Sequence, residues 1–245
     1  MKSISLIFLL GVILLFKPIT LHAGELLISP VNIDIPPGER AALLKLQNNS
    51  NSPMKIQIRV RNWDNDKTKP KPKVIVSPAS VNIFPGKQQV VRIVNTGPVS
   101  NIDKERLYRV FLDEIPDASS ASDQGLLLQL RYALPLFIGG PDLSVSRTNN
   151  LSQLKSIWNR ALSYSHNSLT NQITFKNQTN GHARISKLRF ADENGKETFI
   201  FSGLLGYTPA NSQHSFDIPS VALANTSILS AEINGVDVEI EAFRK

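Results

Sequence analysis

Residues 126–137 read Leu-Leu-Leu-Gln-Leu-Arg-Tyr-Ala-Leu-Pro-Leu-Phe. Leu126, Leu128, Leu130, Tyr132, Leu134 and Leu136 hold the even positions, while Gln129, Arg131 and Ala133 interrupt the odd ones. That period of two predicts a strand with one wholly apolar face. Such a face is either an inner wall of a sandwich or, in part, a row of side chains lent to another protein along an open edge. The same period recurs upstream. Residues 26–35 alternate toward Pro36-Pro37-Gly38, residues 41–47 end at the polar cluster 48–53, and residues 54–63 set Ile56, Ile58 and Val60 against Lys55, Gln57, Arg59 and Arg61. Further strands are predicted over 74–77, 80–84, 88–94 and 107–112, with Pro85-Gly86 as one turn and Glu114-Ile115-Pro116 closing the last. A polar tract, 117–124, precedes the leucine-rich strand.

Gly139-Gly140-Pro141 marks a boundary, after which a second set of strands is predicted over 162–164, 171–176, 182–190, 198–201, 215–218, 230–233 and 236–243. Turns at Thr179-Asn180-Gly181, Asn194-Gly195 and Asn234-Gly235 separate some of them, and Asn-Gly is a strong hairpin signal because both residues tolerate positive φ. Residues 151–160 are ambiguous: Leu151, Leu154, Ile157 and Trp158 would line one face of a short helix, and an irregular turn fits as well. Helical periodicity is sustained nowhere else. The expected fold is all-β, with two sandwich domains over 24–139 and 140–245, the second the smaller.

The 245 residues, 41% hydrophobic, suffice for two such domains. Lys2, the apolar run 4–16 and Leu21-His22-Ala23 read as a secretory signal over 1–23, cleaved after Ala23. The run falls short of the ~20 residues of a membrane span, and no second one occurs, so no stable membrane insertion is expected of the exported chain. With no cysteine, packed cores must supply the stability. A net charge of +7 raises nucleic acid or an anionic surface as partners, and export sets nucleic acid aside. Lys67, Lys69, Lys71 and Lys73 alternate with Thr68, Pro70 and Pro72 in an extended loop, which is either plain solvated surface or a dock for an acidic partner.

An enzyme finds little support. There is no thiol, no Gly-x-Ser-x-Gly elbow, no phosphate-cradling glycine loop and no His-Glu-x-x-His pair. His22 leaves with the signal, and His166, His182 and His214 stand singly without metal-ligand spacing. No catalytic residue, metal or cofactor is expected. An exported carbohydrate-binding sandwich is the alternative, but it needs exposed aromatics, and only Trp63 and Trp158 offer large ones.

The order and spacing of several motifs resemble the periplasmic chaperones of the bacterial chaperone–usher pathway. They are Ile28-Ser29-Pro30-Val31, Val76-Ser77-Pro78, Phe84-Pro85-Gly86-Lys87-Gln88 with Val91-Arg92, and Glu105-Arg106-Leu107-Tyr108-Arg109-Val110 running into Glu114-Ile115-Pro116. Residues 177–188 and Gly206-Tyr207-Thr208-Pro209 resemble the family's second domain, and the ending at 132–137 is most similar to its archaic, spore-coat-protein-like branch. The resemblance implies two immunoglobulin-like domains set in an L, located in the periplasm. It implies binding of pilus or fimbrial subunits and their delivery to an outer-membrane usher. The chaperone lends a strand to a subunit sandwich that lacks its last one, and Leu126, Leu128 and Leu130 match the donor residues, with Tyr132 a fourth candidate. When free, the greasy edge is expected to self-associate or stay mobile.

One departure stands out. In better-known branches two basic residues in the cleft hold the subunit's terminal carboxylate, and the matching positions here are Asn32 and Pro135, which carry no charge. Arg92, Arg109 and Arg131 are the candidates to replace them, since an arginine grips a carboxylate through a two-pronged fork. Each is otherwise a surface charge or a partner for Glu105 or Glu114.

Overall fold

The computed structural model of the chain describes residues 26–64, 68, 70–99, 104–116, 129–141, 143, 150–191, 196–220 and 228–243. The expected signal, the whole polar tract, and Leu126 and Leu128 lie outside those residues. The first half holds β1 (Leu26–Ser29), β2 (Ile33–Ile35), β3 (Ala41–Asn48), β4 (Met54–Asn62), β5 (Val74–Ser77), β6 (Ser80–Ile83), β7 (Gln88–Asn95), β8 (Arg106–Ile115) and β9 (Arg131–Ile138). These form two facing sheets, ordered β1-β3-β7-β5 and β2-β9-β8-β4-β6. Alternate residues point inward and are buried together, among them Leu44, Leu46, Ile56, Ile58, Val91, Ile93, Val110, Leu112, Leu134 and Leu136.

Residues 26–35, expected as one strand, are two. β1 pairs antiparallel with β3 in one sheet, and β2 pairs parallel with β9 in the other. Pro30 stands between them, and its missing N–H lets no ladder run through, so the chain crosses from sheet to sheet there.

The second half holds α1 (Leu151–Ala161), β10 (Leu162–Asn167), β11 (Gln172–Asn177), β12 (Ala183–Ala191), β13 (Glu197–Thr208), β14 (Ser212–Asp217), β15 (Ile228–Ile233) and β16 (Val236–Ala242). Its strands run in the order β13-β12-β15-β16-β10-β11-β14 around a second core. Residues 151–160 are helical: the Asn150 side chain caps the helix by accepting from the Gln153 N–H, and Leu154 and Trp158 are buried one turn apart. Leu151 stays outside that contact and is exposed. The Asn234-Gly235 hairpin joins β15 and β16, with φ of 49° and 88° at its two residues. β13 extends well beyond the expected 198–201.

Candidate functional site

β9 carries the second half of the leucine-rich stretch. β8 pairs along all of it, from Arg106 opposite Ile138 to Asp113 opposite Arg131. The contact continues upstream, where the Glu114 N–H donates to the Leu130 carbonyl at 3.1 Å and Gln129 Nε2 donates to the Glu114 carbonyl at 2.8 Å. On the other side β2 covers only Leu136, Phe137 and Ile138. Antiparallel ladders alternate, so with Leu130 turned to β8 the main-chain groups of Arg131 and Ala133 turn toward the uncovered side. Pro135, next in that series, has no N–H to offer. The edge is therefore open over its first half and closed over its last.

The apolar face changes role along the same strand. Leu134 and Leu136 are buried in the chain's own core, and Tyr132 packs against that core half-buried. Leu130 is 42% exposed, so the face leaves the sandwich there. Of the four donor candidates, Leu130 and Tyr132 are described, and Leu126 and Leu128 precede the described residues.

Asp113 pins the start of β9. Arg131 Nε donates to its Oδ1, while Arg59 Nε and Nη2 donate to its Oδ2 at 3.0 and 2.5 Å. Burial works to raise the carboxyl's pKa, but the hydrogen bonds and charges of Arg131 and Arg59 outweigh it and hold the group below its ordinary range. Asp113→Asn should cost about 1–2 kcal/mol at neutral pH. A depressed pKa contributes stability that is complete above the unfolded value, about 3.9, and is lost as pH falls through the folded value. Thermal melts should show the two proteins converging in acid. A gap that widens in acid contradicts this account.

At the other end of β9 the two halves meet. Phe137 stacks on His182 at 3.6 Å between centroids, and Tyr207 lies 5.6 Å from Phe137 and 5.8 Å from Trp63. His182 N–H donates to Glu105 Oε2 at 2.8 Å, and its Nδ1 lies 2.9 Å from the same oxygen. The Glu105 N–H donates to the Asn180 carbonyl. Gly140, at φ +78°, passes so close that a Cβ there would fall 2.6 Å from Glu105 Cβ. Tyr207 Oη donates to Asn32 Oδ1 at 2.8 Å, and burial pushes its pKa up, so it stays a donor. His182→Ala removes the stack and the ring contact to buried Glu105, leaving it only the backbone N–H of residue 182; about 2–3 kcal/mol should be lost in denaturant titrations. Small-angle scattering should show the domains less rigidly spaced, and an unchanged profile with unchanged stability would contradict the clamp.

Beside this junction lies a cleft of ≈ 220 Å³, walled by Trp63, Arg109 and Pro135 from the first half and by Tyr207, His214 and Phe216 from the second. Arg109 Cζ sits 4.5 Å from the Trp63 ring centroid, and its Nε is buried with no hydrogen-bond partner. A buried guanidinium donor left unpaired beside a cleft suits an anionic acceptor.

The three arginines are not brought together. Arg92 is exposed on β7 in the opposite sheet, across from Leu43 and Ser77. Arg131 is engaged by Asp113, and Arg109 alone of the three lines the cleft. Glu105 serves His182 rather than any of them. Pro135 lines the cleft, and Asn32 reaches it only through its hydrogen bond with Tyr207. Trp63, His214, Phe216 and Asp113 were not anticipated in these roles. Tyr207 stood in a quoted motif, but nothing local announced that it would face Asn32 across 175 positions of sequence.

Residues 25–143 match the family described as pili and flagellar-assembly chaperone, PapD N-terminal domain. No curated protein matches the sequence. Among solved structures, a chain of the CsuC–CsuE chaperone–tip adhesion subunit pre-assembly complex, from the archaic Csu pili of Acinetobacter baumannii, is 25% identical. That match covers 90% of this chain and 100% of that one, with a TM-score of 0.63. A chain of the Salmonella enterica SafA pilin–SafB chaperone complex (17% identity, 88% and 95% covered, TM-score 0.61) shares the fold. So does the Pseudomonas aeruginosa CupB2 chaperone (17%, 86% and 96%, TM-score 0.57). Residues 25–143 are thus a pilus-chaperone N-terminal domain, and the chain as a whole has the fold of the pilus chaperones of the chaperone–usher pathway.

Proposed function

We propose that this chaperone holds a pilus subunit by adding the open half of β9, with Leu126, Leu128 and Leu130 before and at its start, to a subunit sandwich that lacks its last strand. The observation that carries this reading is the uncovered edge of β9 beside exposed Leu130. Main-chain hydrogen bonds supply affinity there and alternate side chains fill the subunit's pockets. Each leucine, fully buried, contributes ~1.5–3 kcal/mol before ordering costs. Tyr132 sits at the junction between the donated face and the chaperone's own core, and extends the row by one side chain at most.

Arg109 is the cleft residue best suited to the subunit's terminal carboxylate, because its Nε is buried and unpaired. The 25% identity to the Csu complex chain, against 17% for the other two structures compared, supports the archaic branch. The chain works in the periplasm, after a signal over 1–23 is cleaved, with domains over 24–139 and 140–245. Delivery to an outer-membrane usher follows by strand exchange, and the free edge self-associates or stays mobile until a subunit arrives. The carbohydrate-binding alternative loses its two tryptophans: Trp158 is wholly buried, and Arg109 covers a face of Trp63.

The test is affinity recovery of the mature chaperone from a periplasm expressing candidate secreted β-rich subunits. A one-to-one complex is expected, and recovery of the chaperone alone from every candidate would contradict the reading.

A further inference from the structure

The sheet that contains β9 is far more cationic on its outer face than a single carboxylate anchor requires. Outward positions of β4, β8, β9 and β2 line up in rows across the strands. Gln57, Asp113 and Arg131 form one row, Arg59, Phe111 and Ala133 the next, and Arg61, Arg109 and Pro135 the one beside the cleft. Lys55 is exposed at the far end of β4, and Asp34 faces outward from β2 at the cleft end. Five cations therefore share this face with two carboxylates among the described residues of these strands, and one of the two, Asp113, is shared by Arg59 and Arg131. The outer face of the opposite sheet is different in kind. Leu27, Leu43, Ile75 and Val90 are exposed there, with Lys45 and Arg92 among them.

We infer that this cationic face captures the bound subunit through an acidic flank, drawing it in by charge before its strand pairs with β9. The inference rests on the strand-addition reading above and adds the chemistry of the partner's surface. β4 lies two strand spacings from β9, roughly 10 Å, about one screening length at physiological salt, so the whole face acts on a molecule arriving at the open edge. Like charges held in one face focus the field and raise the association rate of an oppositely charged partner by about 10- to 1,000-fold, while contributing less to how slowly it leaves. The face is also continuous with Arg109, so an acidic arm lying across it leads into the cleft.

The probes are strand peptides of alternating valine and threonine that carry a glutamate, a serine or a lysine tail. Their association with the full mature chain is followed by stopped-flow fluorescence. At about 50 mM salt the glutamate-tailed peptide should associate about tenfold faster than the serine-tailed one and the lysine-tailed peptide more slowly, with the differences gone near 0.5 M. Lys55→Glu with Arg61→Glu, and Lys55→Glu alone to a lesser degree, should remove the glutamate advantage. Arg92→Glu, on the opposite sheet, should keep it. Equal rates for glutamate and lysine tails on the wild type overturn the inference, as does a glutamate advantage that survives in the double variant. Phosphatidylglycerol vesicles that bind wild type but not the double variant, with no discrimination among tails, would assign the face to an anionic membrane surface instead. Charge-dependent binding of the glutamate tail without any binding of the serine-tailed peptide would keep the face and contradict strand addition. No binding by any peptide overturns both.

Discussion

Exchanging Leu128 and Leu130 for aspartate should leave the chaperone folded and empty it of subunit. Leu130 is already 42% exposed and takes no part in the chain's own core, so a surface change there is expected to move stability by no more than about 0.5 kcal/mol. In the complex the same positions enter apolar pockets. Losing two leucines removes ~3–6 kcal/mol, a roughly hundred- to ten-thousandfold weaker complex, and a carboxylate forced into the pocket costs more. The check is the melting temperature of the variant beside its recovery of subunit. Full recovery by a folded variant would mean that another edge does the binding. Leu134→Asp is the instructive contrast, because Leu134 belongs to the core and that variant should fail to fold.

Arg109→Ala is expected to be the most damaging single change in the cleft. Truncating one partner of a buried charged pair typically costs 2–5 kcal/mol, so subunit affinity should fall roughly thirtyfold or more. Part of any loss could come from the cation–π contact with Trp63, which is worth about 0.5–2 kcal/mol. A subunit whose terminal carboxylate is amidated separates the two effects: wild type should lose affinity for it by the carboxylate's share alone, and the variant should no longer tell the two forms apart. Arg92→Ala should change nothing. If amidation is without effect on the wild type, Arg109 is not the carboxylate's anchor.

The period of two made most strands legible, because one face of each sheet is buried and a single-residue slip would expose it. It could not show the break at Pro30, where local alternation continues on both sides while the ladder changes partner. It left 151–160 undecided because only Leu154 and Trp158 are buried in α1, too little apolar repetition in a single short helix to exclude a turn. In the leucine-rich stretch the same alternation concealed a change of role, since burial in one's own core and in a partner's groove demand the same side chains. Only the three-residue reach of β2 marks where one ends. The cleft was least legible. Arg109, Trp63, Tyr207 and Phe216 come from three strands and the turn after β4, in two domains, and sequence order holds no record of their meeting. Nothing local singled out Asp113, whose two arginine partners include one 54 positions away.

The open edge of β9 is the centre of this account, and amide hydrogen exchange on the free and subunit-loaded chaperone tests it most directly. The N–H groups of Tyr132 and Leu134, turned toward β8, should be protected in both states, whereas those of Arg131 and Ala133 should exchange rapidly when free and slow by at least about a hundredfold in the complex. Unchanged exchange at Arg131 and Ala133 in a saturated complex would contradict strand addition at β9.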